Sequence, residues 1–142
     1  MAKYRPAGTS VFRVDATAGG TLVALSAYID TIDALGREYT PLDVSNFGDA
    51  VERVIPGIEM SQEFGIRGHF DDAGTTGPDA ILSVIVGTLV TTEWNPAGTV
   101  AGRRRFTAEA LCLSYKVSAE VKGRIDYEAR FKQDGTMTVG TA

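Results

Sequence analysis

Ala119-Glu120-Val121-Lys122-Gly123-Arg124-Ile125-Asp126-Tyr127-Glu128-Ala129-Arg130-Phe131-Lys132 sets a small or apolar residue at every second position and a charged one between. Side chains alternate across a strand with a period of two, so the stretch reads as one long β-strand with a dry face and a wet face. At about 3.3 Å per residue it extends on the order of 45 Å, well beyond an ordinary strand. A strand of that length requires a wide sheet around it.

A second alternating stretch supports such a sheet. Ile58, Met60, Phe64, Ile66 and Phe70 share one parity, and Glu59, Ser61, Glu63, Gly65, Arg67 and His69 share the other. Further strands are expected over Ser10 to Val14, Thr21 to Ile29, Thr88 to Trp94 and Arg105 to Val117, with Ala18-Gly19-Gly20 and Asn95-Pro96-Ala97-Gly98 as punctuation. Asp134-Gly135 is a dipeptide favoured in two-residue hairpin turns, so Thr136 to Val139 is expected to return antiparallel beside the long strand. Pro78 to Gly87 reads as a helix: proline suits the first turn, Asp79 complements its positive end, and Ile81, Leu82, Ile85 and Leu89 form a stripe. A buried strand is the rival reading of this short apolar run.

Between Asp30 and Gly57 the period is lost, with one short helical candidate over Phe47 to Val54. Structureless connections beyond about 12 to 15 residues are uncommon in compact domains unless they bind something. Ile32, Leu35, Tyr39, Leu42, Val44, Phe47, Val51, Val54 and Ile55 are too many apolar groups for a tether. The segment is therefore read as an arm that packs against another subunit. The 142 residues are expected to form a single domain, with an N-terminal segment (1–20), the arm (30–57), and core strands and helix (58–140).

Composition narrows the function. Hydrophobic residues at 44% and charged residues at 23% fit a globular chain. A net charge of −4 and a pI near 4.9 argue against a protein that grips nucleic acid by neutralising phosphates. The longest apolar run, Ala80 to Val86, is far short of the roughly 20 residues that span a bilayer, so no membrane insertion is expected. Met1-Ala2-Lys3-Tyr4-Arg5-Pro6 has no apolar signal core, and the lone Cys112 has no partner for an internal disulfide. Synthesis and assembly in a reducing cytoplasm are expected.

No constellation for catalysis stands out. The only histidine, His69, lies on a polar strand parity, and neither Ser61 nor Ser83 has a nucleophile context. One histidine and one cysteine cannot make a structural zinc site. Asp71, Asp72 and Asp79, or Asp30 and Asp33, lack the spacing of an EF-hand loop, and Gly74, Gly77, Gly98 and Gly102 fit no phosphate-binding fingerprint. No cofactor, metal or catalytic residue is expected. The basic run Arg103-Arg104-Arg105 is read as pairing with acidic residues of a neighbouring subunit's arm.

The order of these features resembles the major tail tube proteins of long-tailed bacteriophages. The resemblance rests on the strand over Leu22 to Ile29, the acidic arm with Leu42-Asp43-Val44-Ser45-Asn46-Phe47-Gly48-Asp49, then Ile55-Pro56-Gly57 and a strand ending Gly68-His69-Phe70-Asp71. Trp94-Asn95-Pro96-Ala97-Gly98, the strand through Ala108 to Tyr115, Val121 to Phe131 and Asp134-Gly135-Thr136-Met137-Thr138-Val139-Gly140 extend it to roughly residues 21 to 140. It implies a mainly β fold: a two-sheet β-sandwich with one flanking α-helix, whose sheets join between six subunits into a ring-shaped β-barrel. Stacked hexameric rings would form a structural, non-enzymatic conduit in the virion tail. A tape measure protein would fill its lumen, terminator and baseplate or tip proteins would meet its ends, and DNA would pass without specific binding.

On this resemblance, the lumen is lined either by Glu120, Lys122, Arg124, Asp126, Glu128 and Arg130 or by Glu59, Glu63 and Arg67. Asp30, Asp33, Tyr39, Leu42, Asp43, Phe47 and Asp49 of the arm, with Arg103, Arg104 and Arg105, are the candidate inter-subunit contacts. The alternative is a monomeric or dimeric β-sandwich binding module, carbohydrate-binding or capsid-decorating, that would use Trp94 as an aromatic platform.

Overall fold

The computed structural model describes residues 10–15, 22–72 and 77–142; the expected Ala18-Gly19-Gly20 punctuation and most of the N-terminal segment lie outside them. The chain is mainly β, with two sheets and one helix among the described residues. Strands β1 (Val11–Asp15), β2 (Leu22–Ala24), β3 (Thr31–Ile32), β6 (Glu63–His69), β7 (Leu89–Asn95), β8 (Arg104–Ala119) and β9 (Ile125–Thr141) form an antiparallel sheet in the order β2-β1-β7-β8-β9-β6-β3. Strands β4 (Tyr39–Asp43) and β5 (Val54–Glu59) pair separately as a hairpin.

The large sheet folds over on itself. Phe12 of β1 and Phe64 of β6 are four strand spacings apart, about 19 Å in a flat sheet at about 4.8 Å per strand. Their ring centroids are nevertheless 6.4 Å apart. The bend runs through the long strands: β7 pairs with β8 from Leu111 back to Phe106, whereas β6 pairs with β9 from Asp126 to Lys132. A bulge between Cys112 and Ser114 gives β8 the extra residue Leu113 where one half passes into the other. The two layers of the expected sandwich are therefore largely two halves of one sheet.

Helix α1 (Pro78–Ile85) forms where the sequence predicts it, burying Pro78, Ile81, Leu82 and Ile85, and Gly87 follows at φ +81; Leu89, expected in the same stripe, instead begins β7 and is exposed. Its stripe joins Phe12, Phe64, Phe131, Ile66, Val90 and Tyr127 in one core. Phe64 and Phe131 stack at 5.3 Å, and the Tyr127 hydroxyl donates to the Tyr28 carbonyl at 2.9 Å. The short 3-10 turn that carries Tyr28, Ser26–Tyr28, presses its backbone onto β6 at Gly68.

Several expected boundaries move. The chain reverses at residues 120–124, where the Gly123 amide donates to the Glu120 carbonyl at 3.1 Å, and not at Asp134-Gly135. The alternation therefore spans a solvated turn, with Val121 at 103% relative exposure and only Tyr127, Ala129 and Phe131 of its dry parity buried. Periodicity alone does not register a reversal when the turn is itself polar on alternate residues. At Asp134-Gly135 the φ of +77 at Gly135 opens a bulge: Glu109 pairs with Asp134 and Thr107 with Thr138, leaving Gly135, Thr136 and Met137 opposite Ala108. The strand expected from Ile58 to Phe70 is divided at residues 60–62 between β5 and β6, Thr21 to Ile29 yields only β2 and the 3-10 turn, and Phe47 to Val54 is not helical.

A Cβ at Gly68 would lie 1.7 Å from the Tyr28 carbonyl oxygen, while one at Gly140 would meet nothing within 4 Å. Gly68→Ala is therefore expected to lose most of the folding stability in urea titration, and Gly140→Ala to stay within about 0.5 kcal/mol of the parent. Burial pushes the Cys112 thiol up to about 11, opposed by a weaker hydrogen bond from the Ser114 backbone. A raised folded-state pKa gives stability that is full below the unfolded thiol value of about 8.5 and is lost as pH rises through the folded one. The parent's thermal midpoint should fall more steeply across that window than that of Cys112→Ala.

Candidate functional site

The polar parities of β6 and β9 lie on one face. Their register sets Glu63 beside Lys132, Gly65 beside Arg130, Arg67 beside Glu128 and His69 beside Asp126. Strand β8 continues the rows with Ser114 beside Arg130, Lys116 beside Glu128 and Ser118 beside Asp126. The two alternative lumen-facing sets of the sequence thus merge, with exceptions. Glu59 belongs to β5 at the base of the hairpin, where it takes the Arg37 Nε at 3.0 Å, and Glu120 and Lys122 sit in the β8–β9 turn.

Cation and carboxylate alternate across this face. Arg130 meets Glu63 at 2.8 Å, Asp33 at 3.5 Å and Glu128 at 3.7 Å. Arg67 meets Glu128 at 3.7 Å, and Arg124 pairs with Asp30 and, at 2.5 Å, with Asp126. The Arg124 Nη1 also lies 2.8 Å from the His69 Nε2. The Glu63 hydrogen bond foremost, then the charges of Asp33 and Glu128, push the Arg130 guanidinium pKa up; for Arg124 the hydrogen bond of Asp30 leads.

Gly65 explains how Asp33 enters the pattern. The missing side chain at this row leaves room for the Asp33 carboxylate, which accepts the Gly65 amide at 3.0 Å and the Arg130 Nη1 at 3.5 Å. A Cβ at Gly65 would lie 2.9 Å from that Nη1 and 3.3 Å from the Asp33 Oδ2. Asp30 and Asp33, expected as arm contacts, are thus placed against the chain's own β9. The sequence signal for this was the gap at Gly65 within an otherwise polar parity.

The arm proper is the β4–β5 hairpin and its connecting residues 44–53. Tyr39, Leu42, Val44, Phe47, Val51, Val54, Ile55 and Ile58 are all exposed, Phe47 at 111% and Ile58 at 83%. Local bonds keep its end shaped: Asp43 accepts the Ser45 amide at 2.8 Å, Asp49 the Asn46 amide at 2.9 Å, and Asn46 the Gly48 amide at 2.9 Å. The Asp43 carboxyl is held below its ordinary pKa by the Ser45 backbone bond first. Contiguous exposed apolar surface of this kind marks an interaction site in a soluble protein.

The long strands also expose edges. Past Leu111, β8 has no β7 partner, and past Lys132, β9 has no β6 partner; among the described residues no other strand pairs with those halves. Leu113, Val117 and the neighbouring Val84, Val86 and Leu89 are exposed beside the β8 edge. The sheet's terminal strands β2 and β3 are by contrast only 3 and 2 residues long, too short to template another chain.

The arginine run is divided. Arg105 is engaged within the chain, its Nε 3.3 Å from Glu93 and 3.0 Å from the Asn95 Oδ1, and Arg13 meets the same Glu93 at 3.5 Å. This buried Glu93–Asn95 group is invisible in the sequence pattern, since it joins β1, β7 and β8. Arg103 and Arg104 border an open cleft of about 530 Å³ with Ser10, Trp94, Pro96, Ala97 and Gly102. Trp94 is half-buried, packing against the core on one side and lining this cleft on the other. Among the described residues no group of three or more His, Cys, Asp or Glu side chains is arranged to hold a metal ion.

No family model and no curated protein matches the sequence. Solved structures do. A chain of the tail of an empty gene transfer agent particle, refined with C6 helical symmetry, superposes with a TM-score of 0.73 at 14% identity, over 96% of this chain and 99% of that one. The chain has the tail-tube fold. A chain of the sheath–tube complex of an extracellular contractile injection system gives 0.66 at 12% identity, over 96% and 91% of the two chains. The SPP1 tail tube gives 0.68 at 11% identity, over 94% and 77%.

Proposed function

We propose that this protein is a structural subunit of a phage-type tail tube, assembling into stacked hexameric rings that conduct DNA from a virion. The observation that carries the reading is the pair of free edges on β8 and β9, seen in a chain with the tail-tube fold. These strands are antiparallel within the subunit, so the β8 edge of one copy running beside the β9 edge of the next extends an antiparallel ladder. The contact is heterologous and closes by rotation into a ring. Faces also agree across such a seam: Ser114, Lys116 and Ser118 continue into Thr136 and Thr138, while Tyr115 and Val117 continue into Met137 and Val139.

The free edges lie at opposite ends of the β8–β9 pair, Leu113–Ala119 against the first half of β9 and Asp134–Thr141 against the first half of β8. Joining them therefore shifts each copy along the strands, and that stagger is what a closed barrel requires of tilted strands. The charged face of β6, β8 and β9 lines the lumen, and Glu63, Arg67, Arg124, Asp126, Glu128 and Arg130 belong to it. The apolar arm, through Tyr39, Leu42 and Phe47, packs on a neighbouring ring, and Arg103 and Arg104 face a neighbouring copy. The lumen holds a tape measure protein before ejection, and terminator and baseplate proteins cap the ends. The protein carries no catalytic function in this role.

Electron microscopy of concentrated protein should show sixfold rings or tubes. Leu113→Glu with Val117→Lys changes only exposed side chains, so the monomer should keep its stability within about 0.5 kcal/mol and its circular dichroism, yet form no rings. Replacing residues 44–53 by a short glycine linker should leave single rings and abolish stacking. Long tubes from either variant would contradict the corresponding contact, and a dispersed monomer from the parent would favour a monomeric binding module.

A further inference from the structure

The arginines of the charged face are all occupied. Arg67 is held by Glu128, Arg124 by Asp30 and Asp126, and Arg130 by Glu63, Asp33 and Glu128. These side chains are roughly a third to a half exposed, a setting in which ion pairs add little to folding stability. Their placement has a different consequence: without the carboxylates, guanidinium groups from Arg124, at the end of the β8–β9 turn, to Arg130 on β9 would span about 20 Å at about 3.3 Å per residue, with Arg67 on the next strand and Lys116 and Lys132 alongside. That is a basic stripe able to follow a phosphate backbone.

We infer that the carboxylates mask a latent phosphate-binding surface, so that the wall does not retain the backbone of duplex DNA; the inference rests on the tube reading of the same face. Gly65 supports it independently. The bare backbone there admits a carboxylate from outside the strand, Asp33, onto the guanidinium of Arg130, the residue that Gly65 faces across the ladder. The mask acts by local pairing and not by net charge. Glu63 and Glu128 come from the face itself, whereas Asp30 and Asp33 come from the segment flanking β3 and close the pattern at its margin.

The test compares two full-length variants that remove the same number of negative charges. Asp33→Asn with Glu63→Gln and Glu128→Gln unmasks the face; Glu38→Gln with Glu52→Gln and Asp72→Asn removes exposed acids elsewhere. Fluorescence anisotropy with a short labelled DNA duplex at about 50 mM salt should show at least about tenfold tighter binding by the first variant than by the parent, weakening steeply as salt rises. The second variant should bind like the parent. Equal binding by both variants, or no gain in the first while its circular dichroism is native, overturns the inference. Should the triple variant not fold, Glu63→Gln and Glu128→Gln are read singly, each expected to tighten binding, and no gain in either overturns it. Rings are scored by microscopy on the same samples, and their absence from the parent refutes the tube reading separately from the duplex result.

Discussion

Two strands, β8 and β9, are shared between the two halves of one folded sheet, and the rest of the structure depends on that sharing. Because β7 covers only the first half of β8 and β6 only the first half of β9, each strand is an interior strand along part of its length and an edge along the rest. Among the described residues no further strand pairs with those edges, and long unpaired backbone is a template for another chain. The core problem is solved within the chain by Phe12, Phe64, Phe131 and the helix stripe. The edge problem is not solved by any strand among the described residues.

The same strands organise the polar side. Once β6, β9 and β8 are in register, charges that alternate along one strand become rows across the sheet, and carboxylates fall beside guanidinium groups. A face built this way is well solvated and has little net field. It suits a wall along which a charged polymer moves. The apolar β4–β5 hairpin is opposite in character, leaving Phe47, Val51 and Ile58 exposed.

Much of this was legible in the sequence because the relevant signals are local. The two-residue period located β6, β8 and the first half of β9, and proline, aspartate and an apolar stripe located the helix. The arm announced itself by the loss of period with retained apolar content. What the sequence concealed depends on long-range contact or on turn geometry. The reversal at residues 120–124 hid inside a continuing alternation, and Gly135 bulged where the same dipeptide elsewhere turns. Asp30 and Asp33 fall against β9 only because η-type backbone at Ser26–Tyr28 and strand β3 bring that segment to the sheet edge. The Arg13–Glu93–Asn95–Arg105 group required three strands to be aligned before it existed.

In the proposed tube the uncovered halves of β8 and β9 are completed by each other in neighbouring copies. Amide hydrogen exchange resolved by residue, on dilute and then on concentrated protein, tests it directly. The account predicts that residues 113–119 and 134–141 gain protection together as rings form, while β1, β6 and β7 are unchanged. Assembly that left both segments exchanging as in the monomer, or that protected only one of them, would contradict it.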